Sequence, residues 1–308
     1  MMRMLSRVAD SLYWMGRYLE RAEHMARLLE VTRDLLVDLS EVDREGASAQ
    51  WRATLTTLGA PDGTVDDVVF DQTAPSSLVS AILLARENAR QVREVIAPEM
   101  WRHLNQAYWA LEEARTMPRS EARLVHALTS VQTASFVWDG VTDASMLRGK
   151  GWIFLKMGKF MERTDRLSRT ISVRMALRPR GSDSVTTSHE NVMWITLLKS
   201  AGALEAYRKA HPRRVDARSV LDFLVFDREF PRAIRFSADT AADFARRLSV
   251  LHGDPDDGVV RAFGRMASRL DYGDIDEILD RGPTGFLEDV VSEMNTASTV
   301  LARKYFLL

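Results

Sequence analysis

The sequence predicts an all-α protein, a helical bundle built from two duplicated halves related by a pseudo-two-fold axis. Three observations lead there: prolines confined to segment boundaries, almost no period-two alternation, and a set of residues that recurs 142 positions later. Proline removes an amide donor and clashes with the preceding turn, so in a helical chain it collects at starts and stops. All nine prolines sit at such places, several beside Ser, Thr or Asp, as in Pro75-Ser76-Ser77, Pro118-Arg119-Ser120-Glu121 and Gly253-Asp254-Pro255-Asp256. The one brief alternation, Val65 to Phe70, is too short to argue a sheet.

Taken in order, apolar spacing predicts a first helix over 3–40, about 55 Å long if continuous at ~1.5 Å per residue. A shorter helix over 48–58 leads into Gly59 to Pro75, which reads as a loop because it is rich in Asp, Gly and Pro. Helices over 76–97, 99–117 and 120–146 complete the first half, 1–149. The second half, 150–308, opens with a helix over 150–177. Arg178 to Ser188, rich in Ser and Thr, reads as a mobile connection. Helices over 189–209, 216–226, 231–249, 256–271, 274–281 and 284–306 follow, and the two halves together form one domain.

Composition narrows the function by exclusion. At 308 residues and 46% hydrophobic, the chain can bury a sizeable core. With 42 basic and 43 acidic residues the net charge is −1, which gives no global field toward nucleic acid or a membrane surface. The absence of cysteine excludes disulfides, a catalytic thiol, iron–sulfur clusters and cysteine-ligated zinc. Arg3 and Arg7 interrupt the apolar start, and no stretch approaches the roughly 18 apolar residues of a membrane span. A cytoplasmic protein is expected.

The repeat carries the sharpest signal. Met15-Gly16-Arg17-Tyr18-Leu19-Glu20-Arg21-Ala22-Glu23 lies over Met157-Gly158-Lys159-Phe160-Met161-Glu162-Arg163-Thr164-Asp165, and Arg27 lies over Arg169. At the same offset, Arg86-Glu87-Asn88-Ala89-Arg90-Gln91-Val92-Arg93 lies over Arg228-Glu229-Phe230-Pro231-Arg232-Ala233-Ile234-Arg235. Trp51, Leu55 and Gly59-Ala60 match Trp194, Leu198 and Gly202-Ala203 one residue out of step. On a helix, Gly16, Glu20, Glu23 and Arg27 share a stripe about 60° wide, nearly opposite an apolar face, and Gly158, Glu162, Asp165 and Arg169 repeat it. Glycine inside a helix costs about 1 kcal/mol against alanine, so both glycines predict that another backbone or a ligand comes close.

Arg86, Arg90 and Arg93 form an arginine ladder on one helix face; in the other copy Pro231 leaves Arg232 and Arg235 on one side and moves Arg228 and Glu229 into the preceding turn. Three readings follow. The ladder could grip Glu20 and Glu162 in a buried ion-pair network that fixes helix packing. The local positive excess of each repeated block could bind an anion or an acidic peptide at the junction of the halves. Alternatively, Glu20 or Glu162 could act as general acid or base on a peptide or amino-acid amide. No metal is expected: Glu20 and His24 are one turn apart, but Arg166 stands at the His24 position of the second copy. There is no Gly-rich phosphate loop and no nucleophile elbow, and no cofactor is expected. Trp101, Tyr108 and Trp109 read as core aromatics rather than a base-stacking platform.

The segments LSRVADSLYWMGRYLERAEHMARLL, LARENARQVREVIAPEMWRHLN, GKFMERTDRLSR and FDREFPRAIRF resemble the bacterial alpha-E domain family over essentially the whole chain. Its Glu-Arg motifs fall here on Glu20-Arg21 and Glu162-Arg163, and its arginine-rich helix on Arg86, Glu87, Asn88 and Arg90. The resemblance implies an all-helical fold and association with a circularly permuted ATP-grasp-like protein and a transglutaminase-like peptidase. It implies an accessory role in an amidoligase-type peptide synthesis or modification system.

Overall fold

A computed structural model describes residues 5–39, 44–176, 188–212, 215–254 and 257–306. Among these, every regular element is a helix. The first half supplies α1 (Ser6–Leu39), α2 (Arg44–Thr57), α3 (Val65–Phe70), α4 (Leu78–Gln91), α5 (Pro98–Thr116) and α6 (Glu121–Ser145). The second supplies α7 (Lys150–Ala176), α8 (Ser188–Ser200), α9 (Leu204–Ala210), α10 (Ala217–Phe226) and α11 (Ile234–His252). It ends with α12 (Gly258–Asp271), α13 (Ile275–Arg281) and α14 (Pro283–Tyr305).

The boundary chemistry explains most ends. Ser77, Ser120, Asp216, Asp257 and Asp274 accept hydrogen bonds from the first-turn amides of the helices they open. Pro98 and Pro283 begin α5 and α14, where their missing donor costs nothing. Three expected boundaries shift. The stretch read as a loop contains α3, set by a capping box in which Thr64 and Asp67 exchange bonds. The helix expected over 76–97 stops at Gln91, Val92 to Ile96 form turns, and Ala97 is extended before Pro98. The helix expected over 189–209 breaks into α8 and α9 at Gly202, whose φ is +62°. The same turn closes α2: Ala60 N donates to Leu55 O and Ala203 N to Leu198 O, with Gly59 and Gly202 both left-handed. The connection expected over Arg178 to Ser188 falls almost entirely outside the described residues.

At the centre, α1 and α7 pack along much of their length. Their contacts advance together in sequence, Gly16 against Leu155 and Lys159, then Glu20 against Arg163, then His24 against Thr170, so the two helices run parallel. Helices α4 and α6 flank α1, helices α11 and α14 flank α7, and α5 and α12 form the next layer on each side. The parallel pair meets at two glycines. A Cβ on Gly16 would land on the Leu155 carbonyl oxygen and within 3.2 Å of Lys159 N; one on Gly158 would land on the Tyr13 carbonyl oxygen and within 3.2 Å of Arg17 N. The predicted close approach is therefore backbone to backbone. Around it lie Leu12, Met15, Ile153, Leu155 and Met157, all fully buried.

Because neither backbone can retreat without unpacking the core, Gly158→Ala is expected to destabilise the protein by about 3 kcal/mol, with Gly16→Ala similar. Urea unfolding read by circular dichroism measures this; an alanine tolerated within about 0.5 kcal/mol would contradict the contact.

Candidate functional site

One turn beyond the glycines, each central helix sends a carboxylate into the other. Glu162 on α7 is fully buried and takes Arg17 Nε at 2.7 Å, Arg21 Nε at 2.6 Å and Arg166 Nε at 2.8 Å. Glu20 on α1 takes Arg163 through both Nε, at 2.6 Å, and Nη2, at 2.9 Å, while Arg163 Nη1 donates to the Pro231 carbonyl at 2.8 Å. The two Glu-Arg pairs thus grip each other crosswise, Arg21 to Glu162 and Arg163 to Glu20. The planar guanidinium fork suits this, since it satisfies both carboxylate oxygens at once.

The rest of the stripe extends the network. Glu23 is held by Arg232 through two bonds of 3.0 Å and by Arg27. Asp165 accepts from Arg169 Nε at 2.8 Å, with Arg166 Nε 3.7 Å away. Lys159 pairs with Asp139 on α6. Arg17 lies over Trp14 and Arg21 over Tyr18, so aromatic faces cover the guanidinium groups that the carboxylates leave bare.

Burial alone would raise these carboxyl pKa values, yet the surrounding cations win. Glu162 is held well below its ordinary range by Arg17, Arg166 and Arg21, Glu23 by Arg232 and Arg27, and Glu20 by Arg163, Lys159 and Arg232. His24 moves the other way for a base: burial first, then Arg166, pushes it down to about 4. Thr170 donates its hydroxyl proton to the Arg166 carbonyl, so its oxygen is left to accept from His24 Nε2–H at 3.1 Å. His24 is thus a neutral core donor, and it has no acidic partner suited to a metal. Among the described residues, no group of three His, Cys, Asp or Glu is placed to hold a metal ion.

Beside the network, Gly16, Glu20, Glu23, Asp139, Lys159 and Arg232 line a crevice of about 20 Å³, room for about one water. An acid or base must reach the proton that it moves. Glu162 is fully buried, and Glu20 and Glu23 are buried beside this crevice.

The arginine ladder does not reach Glu20 or Glu162. Arg86 donates to Asn105 Oδ1 at 2.7 Å and lies 4.6 Å from the Tyr108 ring, Arg93 lies over Trp101, and Arg90 pairs with Glu87 on the surface. The reason is packing: the ladder face of α4 is turned onto the aromatics of α5. In the other copy Arg232 does enter, through Glu23, whereas Arg235 pairs with Asp271 on α12. Sequence reasoning left Arg17 and Arg166 out of the candidate set, although they make two of the three arginine contacts on Glu162. The i, i+4 spacing of Glu162 to Arg166 was the available signal. Asp139 carried none, being brought in from α6 by tertiary packing.

Comparison with known proteins places the chain in a family. A family described as "a predicted alpha-helical domain with a conserved ER motif", Alpha-E, matches residues 4–306, and the chain belongs to it. The chain is 28% identical over 265 residues to uncharacterised proteins of Mycobacterium bovis and Mycobacterium tuberculosis, an alignment covering 76% of this chain and 29% of theirs. It therefore spans less than a third of the length of those relatives. No solved structure matches it.

The titration pattern fixes an acid response. Between pH 6.5, the ordinary histidine value, and about 4, the unfolded chain takes up a proton at His24 that the folded chain refuses. Stability should therefore fall with pH across that window by up to about 3 kcal/mol. Below it, the lowered carboxyl groups Glu20, Glu23 and Glu162 lose their contribution as well. Urea unfolding at several pH values reads this, and His24→Gln should flatten the decline between pH 6.5 and 4; an equally steep decline in the variant would refute it.

Proposed function

We propose that this member of the alpha-E family is a cytoplasmic, non-catalytic accessory protein that supports an ATP-grasp amidoligase-type peptide synthesis or modification system. Its Glu-Arg constellation fixes the packing of the helices that present its surfaces. The observation that carries this reading is the burial of Glu20 and Glu162 beneath arginines, with a crevice of about one water beside Glu20. Carboxylates held in that way are strong acceptors and poor bases, so the network supports docking of helices rather than turnover.

Two further parts of the reading belong here. The partner is a circularly permuted ATP-grasp-like protein, with a transglutaminase-like peptidase as a second; the family resemblance is the ground for both. That the mycobacterial relatives carry a similar segment within far longer chains favours a module that works beside other polypeptide. The chain also consists of two related halves, 1–149 and 150–308, about a pseudo-two-fold axis. The reciprocal contacts support it: Gly16 on Leu155 mirrors Gly158 on Tyr13, and Arg21 on Glu162 mirrors Arg163 on Glu20, each pair 142 residues apart. An acidic peptide, if bound, would meet the exposed Arg90 and the half-exposed Arg169 rather than the sealed arginines.

Glu162→Gln separates scaffold from enzyme. Leaving Arg17, which is buried, and the partly buried Arg21 and Arg166 short of an anion is expected to cost about 3–5 kcal/mol in urea unfolding, whereas a catalytic carboxylate would lose turnover at nearly unchanged stability. For the partner, affinity capture of the chain at low salt together with the co-expressed ATP-grasp protein is expected to recover both. Arg90→Ala should lower recovery at an unchanged melting temperature, and Arg232→Ala should lower both. Failure to recover the ATP-grasp protein would end the partner assignment.

A further inference from the structure

A net charge of −1 hides how the charges are distributed, and one end of the bundle collects cations beside bare aliphatic side chains. Helix α11 runs antiparallel to α7, since Phe236 meets Phe160 whereas Phe244, two turns on, meets Trp152. The end of α11 therefore lies beside the turn from α6 into α7. At that turn Leu147 is 90% exposed, and on the last turn of α11 Val250 is 81% exposed with Leu251 beside it. The two segments are joined by Arg247, whose Nη2 donates to the Arg148 carbonyl at 3.2 Å. Arg148, Arg247 and Lys156 all gather on one indole, 5.5, 5.8 and 5.6 Å from the Trp152 ring centre. The carboxylates at this end are already engaged: Asp143 by Lys156, Asp243 by Arg246 and Asp254 by Lys304. Among the described residues, Arg148, Lys150 and Arg247 have no carboxylate partner, and both arginines are exposed.

We propose that this end of the bundle docks peripherally on an anionic lipid surface, with Leu147 and Val250 reaching past the headgroups and Arg148, Lys150 and Arg247 meeting lipid phosphates. Two features of the patch select that occupant. Its three spare cations need an anionic partner, and two guanidinium groups held over one ring repel each other until an anion comes between them. Its aliphatic tips need an apolar layer just beyond the anions, and a bilayer stacks the two in that order. A nucleic acid would satisfy the arginines and leave Leu147 and Val250 against phosphate. An acidic protein would need a separate pocket for each tip, because they project from different segments, each beside an arginine. Every basic side chain next to such a surface raises partitioning about fivefold, so the three together supply about a hundredfold. That attraction is local and is compatible with a chain that is nearly neutral overall.

The experiment is flotation of the purified full chain with vesicles, either of phosphatidylcholine alone or of phosphatidylcholine with about one-third phosphatidylglycerol. At about 0.1 M salt the chain is expected to float with the anionic vesicles and to stay behind with the neutral ones. Raising salt to about 1 M shortens the screening length from ~10 Å to ~3 Å and should release it. Arg148→Ala combined with Arg247→Ala should lower partitioning about 25-fold. Leu147→Ser combined with Val250→Ser should lower it about tenfold with the salt dependence kept. All four side chains are exposed, so the circular dichroism spectrum and melting curve should match the wild type. Lys209→Ala combined with Arg281→Ala removes the same charge from exposed sites on α9 and α13 and should change nothing. A chain that ignores anionic vesicles overturns the proposal and leaves the patch to an acidic protein. Flotation unaffected by the Arg148 and Arg247 changes, or weakened equally by the Lys209 and Arg281 changes, overturns it as well. None of these results bears on the ATP-grasp assignment, which is read by capture of that protein.

Discussion

The backbone contact between Gly16 and Gly158 is the constraint on which the rest of the architecture turns. Two parallel helices brought this close cannot place long apolar side chains between their backbones at the crossing, so space reappears only a turn further along. There the first side chains able to bridge are Glu20 and Glu162, already too deep for water to solvate them. An ionised carboxylate at such depth is untenable unless it is bonded on both oxygens. Arginine answers that need from the facing helix, and the register of α1 on α7 is thereby fixed twice, by a contact no Cβ permits and by charges that match at one alignment.

This ordering explains which features were legible in the sequence. The glycines and the Glu-Arg blocks were visible because both costs, a mid-helix glycine and a charge facing inward, appear twice at one offset, whereas the crossing of Arg21 to Glu162 and Arg163 to Glu20 was not. Capped starts such as Ser77, Ser120 and Asp274 were equally visible as local chemistry. The ladder was misassigned because its spacing says only that Arg86, Arg90 and Arg93 share a face, whereas the target of that face is set by α5, whose Asn105, Trp101 and Tyr108 take two of the three. The break at Gly202 was harder still. Its left-handed backbone lays the turn against Arg27 and Arg232, a neighbourhood created by helices far away in sequence. By contrast, α3 could have been found from Thr64 and Asp67, which spell a capping box inside a stretch dominated by loop formers.

The local excess of positive charge acquires a different meaning once burial is known. Counted along the sequence, it suggests a site waiting for an anion. In three dimensions most of that charge is already spent: Arg17, Arg21 and Arg166 on one carboxylate, Arg163 on a second, Arg27 and Arg232 on a third. The excess arises because a fully buried carboxylate offers more acceptor positions than one guanidinium fills, so several arginines crowd a single acid. A surplus of cations is then what complete satisfaction of buried anions looks like, and it needs no external ligand.

The two copies of the stripe are not equivalent, and the difference has a definite physical origin. In the second copy the arginine segment is not helical: Asp227 caps a turn, accepting from the Glu229 and Phe230 amides, and Pro231 holds that turn open. This lets the Pro231 carbonyl face Arg163 and carries Arg232 inward to Glu23. In the first copy the same positions continue α4, so Arg90 points outward to Glu87 and Asp165 draws its partners from its own helix, Arg166 and Arg169. Glu20 and Glu23 are therefore braced by a turn between α10 and α11, and Glu162 and Asp165 only by α1 and α7. A change in that turn would reach the centre of the molecule through three hydrogen bonds, one at the Pro231 carbonyl and two from Arg232, whereas a change in α4 near Arg90 would stay at the surface.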